Sequence, residues 1–291
     1  MQLSYKTYEH SFSCPELRVT EYKDLLKSIL GDDVNPTQFV AYFIDLFSNL
    51  SKKSVEFFEN LTMLDLFLLL LQLRVHTLGN TSHLILKPKE DQAKDVNLHL
   101  NLQRVIEDLS FDIQPIVVEL DEISLTIWFP HLKAADKNNV ISHIKSCSIK
   151  NTKIDITDFN IAEEIYKRLP AQLAIKLQKA VNNLYETLFA INFLSSYEGC
   201  DEHSLGFNLQ IETFLWYCKL LFNEPLDVFL DNMFYLTYYG HFNTDYLERS
   251  CAPGEYIYYT KKLQQELTSK SRENTDTSSH HGPGLNEFGD M

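Results

Sequence analysis

The spacing of hydrophobic and polar positions changes twice along the chain. Up to residue 80, apolar side chains recur at helical spacing. The predicted helices of this part are residues 21–30, 36–50 and 63–78. Between residues 81 and 150, short apolar runs and one strict alternation predict strands instead. These strands are residues 82–86, 96–102, 116–120 and 123–129.

Helical spacing returns after residue 150. Pro170 is expected to break a long apolar pattern at residues 161–194 into two helices, the second ending at Gly199, because proline cannot continue a helix interior. Three further helices are predicted at residues 208–222, 226–239 and 255–268, with a short helical turn at residues 245–249. The chain then ends in a polar stretch rich in Ser, Gly and Pro.

These patterns predict an α+β fold that is mainly α. We expect an N-terminal helical bundle, a small antiparallel sheet inserted after it, and a C-terminal helical region. The corresponding ranges are residues 1–80, 81–150 and 151–268, followed by a disordered or extended tail at residues 269–291.

The most apolar stretch is residues 63–78, MLDLFLLLLQLRVHTL, and it is predicted to be a buried core helix. Thr62 and Asp65 have the spacing of a capping box at its start, and Gly79 is suited to its end. A membrane span is excluded because the interval between Asp65 and Arg74 is far shorter than the ~20 apolar residues that a span requires.

The same stretch resembles a family of baseplate hub subunits and hub assembly proteins from contractile-tailed, T-even-like bacteriophages. The resemblance rests on a helix of the form LTxxDLxxLxLQLR followed by a small polar turn. The matching residues are Leu61, Thr62, Asp65, Leu66, Leu68, Leu70, Gln72, Leu73, Arg74 and Gly79. Residues 17–26 are similar to the family's first helix, and a looser similarity continues through residues 161–194.

The composition of the chain disfavours some classes of binding partner and indicates the state of its cysteines. The chain has 291 residues, 44% of them hydrophobic, and a formal net charge of −14, which disfavours both nucleic acid and an anionic membrane surface. Its five cysteines are widely spaced without a CxxC pair, so we expect free thiols in a reducing cytoplasm. The first residues lack the basic and apolar segments of a signal peptide.

Chemistry-bearing motifs are scarce. The sequence has no GxSxG elbow, no Gly-rich phosphate loop and no HExxH pair, so a non-enzymatic protein without a cofactor is predicted. Cys200 and His203 have metal-ligand spacing, but a closed zinc site needs four ligands and no second pair lies nearby. No metal site is therefore predicted.

The C-terminal helices carry unusually many aromatic residues. Core packing would explain part of this, but Trp and Tyr are also favoured anchors of protein interfaces. The candidate partner-contact residues are Phe214, Trp216, Tyr217, Phe234 and Tyr238. An acidic chain favours a neutral or basic protein partner.

Three functions stay open at this point. The resemblance implies a structural or assembly component of a phage tail baseplate hub, located in the virion and in the infected host cytoplasm. Its partners would be other hub proteins or further copies of the chain. The alternatives are a transient assembly chaperone that is absent from the mature virion, or an enzyme with an unrecognised site.

Overall fold

The computed structural model describes residues 2–30, 34–86, 96–135, 140–150, 152–156, 158–190 and 209–278. Helices predominate within these ranges and the strands form small antiparallel sheets, which confirms the predicted α+β, mainly α class. The predicted helix end at Gly199, the pair Cys200 and His203, and residues 279–291 of the predicted tail lie outside the described residues.

The helices are numbered in chain order. They are α1 (Val19–Leu30), α2 (Pro36–Ser51), α3 (Val55–Glu59), α4 (Met63–Leu78), α5 (Leu102–Phe111), α6 (Leu132–Ala135), α7 (Phe159–Lys167), α8 (Ala171–Ala190), α9 (Ile211–Leu221), α10 (Leu226–Tyr238), α11 (Thr244–Arg249) and α12 (Pro253–Ser278). The strands are β1 (Gln2–Lys6), β2 (Ser11–Pro15), β3 (Thr81–Leu86), β4 (Val96–Asn101), β5 (Ile116–Leu120), β6 (Ile123–Ile127), β7 (Ile144–Ile149) and β8 (Thr152–Asp155).

The described residues group into two compact units. The first unit contains the residues up to Glu16 together with Leu25–Asn223, and the second contains Leu17–Asp24 together with the residues from Glu224 onward. The first unit therefore holds α2 to α9 and all the strands, and the second holds α10, α11 and α12.

Helix α4 is the core of the first unit, as its sequence predicts. Every residue from Met63 to Arg74 is buried, including the polar ones. The predicted capping box is present: the Thr62 hydroxyl accepts from the Asp65 N–H at 3.2 Å, and the Asp65 carboxylate accepts from the Thr62 N–H at 2.9 Å. Gly79 ends the helix with a φ of +91°, a conformation that favours glycine.

An N-terminal hairpin packs on α4 and was not predicted. Strands β1 and β2 pair antiparallel, with Tyr5 opposite Phe12. Their inward residues are Leu3, Tyr5, Phe12 and Cys14, alternating with exposed positions. The Tyr5 ring lies edge-on to Phe47 of α2 at 5.2 Å between centroids, so aromatic packing fixes the hairpin against the helical core.

The predicted insertion contains two sheets and a helix. Strands β3 and β4 form one antiparallel pair, whereas β5 to β8 form a second sheet in the order β5-β6-β7-β8. The expected strand at residues 96–102 ends one residue early, because Asn101 caps α5 through its side chain at 3.2 Å from the Arg104 N–H. Helix α5 was therefore missed, and β8 extends the second sheet to Asp155.

Helix α8 covers one face of the four-stranded sheet. The shared apolar cluster includes Leu125 and Cys147 from the sheet and Leu173, Leu177 and Val181 from α8. The hairpin predicted across Asp121-Glu122 is confirmed, with Asp121 at a φ of +52° in the turn. Pro170 separates α7 from α8, as predicted.

In the second unit, α10 packs against α12. Phe229 and Tyr256 are both fully buried, their ring centroids lie 4.9 Å apart, and the Tyr256 hydroxyl donates to the Phe229 carbonyl at 3.0 Å. The N-terminal part of α1 joins this unit through Tyr22, whose ring contacts Phe229 at 5.9 Å. Helix α12 continues to Ser278, ten residues beyond the helix end predicted at residue 268.

Candidate interaction surface and the role of the α4 motif

The polar residues of the α4 motif hold other elements of the first unit in place. Asp65 is 5% exposed, and its carboxylate accepts three hydrogen bonds, one of which is the capping bond from the Thr62 N–H. One of its oxygens accepts the Tyr8 N–H from the β1–β2 turn at 2.8 Å, and the other accepts from the N–H and the hydroxyl of Thr62. A carboxylate with this many donors is satisfied although it is buried.

Gln72 lies two helical turns further along α4. Its side-chain amide forms hydrogen bonds with the backbone of Lys6, at the end of β1, as a neighbouring strand would. Its amide oxygen accepts the Lys6 N–H at 2.7 Å, and its amide nitrogen donates to the Lys6 carbonyl at 2.7 Å. Gln72 therefore binds the end of β1, and Asp65 binds the turn that follows it, from the same side of α4. Both side chains bond to backbone groups of the hairpin, at Lys6 and at Tyr8.

Arg74 joins the end of α4 to α9. Its Nε donates to the Leu221 carbonyl at 2.8 Å and its Nη1 donates to the Gly79 carbonyl at 2.9 Å. Both carbonyls lie at the C-terminal ends of helices, where the helix dipole favours a cation. The motif residues Thr62, Asp65, Gln72 and Arg74 thus form the framework of the fold, and none of them presents reactive groups to solvent.

A cavity of about 650 Å³ lies elsewhere in the first unit, between the four-stranded sheet and α7. Its polar lining includes His131, Lys133, His143, Lys145 and Asp158. Most of these groups already have protein partners: Lys145 pairs with Glu9, Lys133 lies 3.5 Å from Glu59, and Asp158 caps α7. His143 Nε2 lies 3.0 Å from the Tyr185 hydroxyl. Both lysines and Asp158 in this lining are therefore engaged in contacts within the fold.

Burial favours the neutral form of two thiols and one imidazole. Burial raises the pKa of the Cys14 thiol to about 12 and that of the Cys251 thiol to about 11, so neither is a thiolate at neutral pH. Burial also lowers the pKa of His76, against the opposing effect of the Glu16 carboxylate, and its Nδ1 has no hydrogen-bond partner. Among the described residues, no group of three or more His, Cys, Asp or Glu side chains could hold a metal ion.

Two of the five predicted contact residues lie in the core. Phe214 is fully buried, with its ring 5.2 Å from Phe43 and 5.3 Å from Phe67, and Tyr217 is 3% exposed and lies 4.9 Å from Phe67. These rings attach α9 to α2 and α4 and cannot contact a partner in this structure. Trp216 points away from that stripe and is 44% exposed.

The other two predicted residues lie on an exposed face of α10, which we call the α10 ridge. It consists of Leu230, Phe234 and Tyr238, spaced four residues apart and therefore on one side of the helix. Phe234 is 59% exposed and Tyr238 is 62% exposed. Their rings stack on each other with centroids 5.5 Å apart and an angle of 9° between the planes, which forms a flat aromatic surface.

A groove of about 270 Å³ lies beside the ridge, between α10 and α12. Tyr235 and Leu236 of α10 line one side, and Leu263 and Leu267 of α12 line the other. Asn232 also lines the groove, where its side-chain oxygen accepts from Gln264 at 3.4 Å. Tyr235 lines this groove, and its ring centroid lies 6.0 Å from that of Phe234 on the ridge, so Tyr235 links the groove to the ridge.

Comparison with known proteins identifies the family. A family model described as T4 bacteriophage base plate protein matches residues 2–210, which includes the whole of the α4 motif. No curated protein and no solved structure gives a significant match. Within the described residues no helix is long and apolar enough to span a bilayer. Because the matched range covers most of the sequence, the chain belongs to the family of T4 bacteriophage base plate proteins.

Proposed function

We propose that this chain is a structural component of the tail baseplate hub that acts through contacts with other baseplate proteins. Membership of the base plate family implies a structural or assembly role in a phage tail baseplate, and this observation carries the proposal. The hub location is the finer step, and it rests on the resemblance of the α4 motif to hub proteins.

The side chains support a binding role over a catalytic one. The polar motif residues satisfy backbone groups inside the fold, and the two lysines of the 650 Å³ cavity are paired with carboxylates. A base plate family also indicates a non-enzymatic role. By contrast, Trp216 in the first unit and the α10 ridge in the second present large aromatic side chains to solvent. Exposed aromatics of this size are characteristic of interaction sites.

The test is the presence of the chain in mature particles. Particles purified by sedimentation are digested and analysed by quantitative mass spectrometry, with known tail proteins as internal standards. A structural component is expected at a fixed copy number per particle. If the chain is found in assembly intermediates but is lost from mature particles, it is a transient assembly chaperone and the proposal of a structural component is wrong.

The hub location needs a second measurement. A small tag placed after residue 278, beyond the last described helix, is labelled in intact tails and imaged by electron microscopy. Label at the centre of the baseplate supports the hub, whereas label at the periphery rules it out while leaving the baseplate role intact.

A further inference from the structure

We infer that the α10 ridge and its groove form the docking site for a basic amphipathic helix of a partner protein. This inference rests on the proposed function, since it assumes a protein partner, and it specifies the surface and the chemistry of that partner. The surface lies at residues 226–268, outside the range that the family model matches.

The first argument is the phase of α10. Its buried stripe consists of Phe229, Asn232, Met233 and Leu236, which face α12 and the rest of the second unit. At 100° per residue, Phe234 and Tyr238 lie on the opposite side of the helix, and no described element covers them. The ring contacts of Phe234 among the described residues are with Tyr235 and Tyr238 of its own helix.

The second argument is size. Phe234, Tyr235, Tyr238 and Tyr239 each expose about half of their side chain, which amounts to ~400 Å² at roughly 200 Å² per aromatic residue. A standard interface buries about 800 Å² on each partner, so the surface suits a single helix better than a broad domain contact. A ridge with four-residue spacing beside a groove is also the shape into which a second helix packs.

The third argument is charge. Asp227 and Asp231 lie on the same face of α10 as the ridge, and neither forms an ion pair within the described residues. Helix α10 contains no Lys or Arg. Free carboxylates beside an aromatic surface are complementary to a partner that has Lys or Arg next to its apolar stripe. A second copy of this chain would bring further negative charge, because the net charge is −14.

The test uses the full-length chain and two labelled synthetic peptides. One peptide is an amphipathic helix with Leu on one face and Lys on the other, and its counterpart has Glu in place of Lys. Binding is measured by fluorescence anisotropy at several salt concentrations. The Lys peptide is expected to bind, with affinity that falls as salt rises, and the Glu peptide is expected not to bind.

Variants separate the docking site from general charge attraction. The double variant Phe234→Ser, Tyr238→Ser keeps the charge of the chain and is expected to weaken binding of the Lys peptide at least ~10-fold. The matched control is Phe111→Ser, which removes a 69% exposed aromatic side chain from α5 and is expected to leave binding unchanged. A second double variant, Asp227→Asn with Asp231→Asn, is expected to reduce the salt dependence while the aromatic surface stays intact.

Three results would overturn the inference. The first is equal binding of the Lys peptide to the wild type and to the Phe234→Ser, Tyr238→Ser variant. The second is equal binding of the Lys and Glu peptides. The third is a dimer in sedimentation velocity that the same variant abolishes, which would assign the surface to a second copy. Any of these leaves the proposed function standing if the chain is still present in mature particles.

Discussion

Helices α4 and α10 are both built mainly from apolar residues, but their surroundings differ. All eight residues between Asp65 and Arg74 are buried, because the β1–β2 hairpin, α5 and α9 pack around α4. In α10, Phe229 and Leu236 are fully buried while Leu230, Phe234 and Tyr238 are about half exposed or more. An apolar sequence therefore indicates that the faces of a helix need to be buried. Only the tertiary structure shows whether other elements of the same chain bury every face.

Polar residues differ between the two helices in the same way. In α4, Asp65, Gln72 and Arg74 are buried, and each bonds to a backbone group of another part of the first unit, as Gln72 does with Lys6. The carboxylates of α10, Asp227 and Asp231, are exposed. A buried polar side chain is retained only if its hydrogen bonds are made, whereas an exposed one can serve recognition.

The largest expected effect is a charge in the centre of α4. We predict that Leu69→Asp prevents folding, because Leu69 is fully buried and an unpaired buried carboxylate costs several kcal/mol, comparable to a total stability of ~5–15 kcal/mol. Circular dichroism and solubility of the purified variant measure the effect.

The matched control is Leu230→Asp on the α10 ridge. Leu230 is 48% exposed, so the melting temperature is expected to stay within a few degrees of the wild type. Equal destabilisation by the two substitutions would contradict the difference in enclosure between α4 and α10.

A smaller effect is expected from the carboxylate that caps α4. Asp65→Ala removes the acceptor of the Tyr8 N–H and the cap of Thr62, and we expect it to lower the free energy of unfolding by ~2–4 kcal/mol. Asp227→Ala in the first turn of α10 removes only a favourable helix-dipole interaction and should cost less than ~1 kcal/mol. Urea unfolding followed by circular dichroism compares the two. Similar values for both would show that the Tyr8 contact contributes little.

A third prediction concerns pH. Burial lowers the pKa of His76 in the folded state, so the unfolded chain takes up the proton first. The stability from neutral His76 is present above a pH of about 6.5 and is lost as the pH falls below it towards the lower folded-state pKa. His76→Gln should reduce the slope of unfolding free energy against pH in this window. An unchanged slope would assign the pH dependence to other groups.

The smallest effect is expected at the end of α12. Tyr256, Thr260, Leu263 and Leu267 of α12 lie against α10, and all of them precede residue 271. Deletion of residues 271–291 should leave the melting temperature nearly unchanged, because this mostly polar stretch offers little apolar surface to offset the entropy of ordering it. A drop of many degrees in differential scanning calorimetry would show that the end of α12 is part of the second unit's core.

Much of the first unit could be predicted from the sequence where local signals agree. The capping box of Thr62 and Asp65, the helix end at Gly79 and the break at Pro170 were all predicted, because each depends on residues within a few positions of one another. The β1–β2 hairpin was missed although Leu3, Tyr5, Phe12 and Cys14 alternate with polar residues. The connecting residues lack the Asn-Gly or Asp-Gly pair that usually marks a hairpin.

The candidate surface could be predicted only in part. Aromatic content identified α9 and α10, but Phe214 and Tyr217 are core residues while Phe234 and Tyr238 are exposed. In α9, residues 214, 217, 218 and 221 form a buried stripe at helical spacing, and Trp216 lies off it. The helical spacing of these four residues can be read from the sequence. The sequence does not show which side of α9 faces the core.

The sequence by itself determined the class of the fold, the boundaries and burial of α4, and the family. These follow from short-range patterns, since helical period and capping depend only on neighbouring residues. Only the tertiary structure decided that Gln72 satisfies Lys6, that Arg74 joins α4 to α9, and that one side of α10 is uncovered. Such contacts join residues that are far apart in the chain, and packing against a particular neighbour decides which apolar faces are buried.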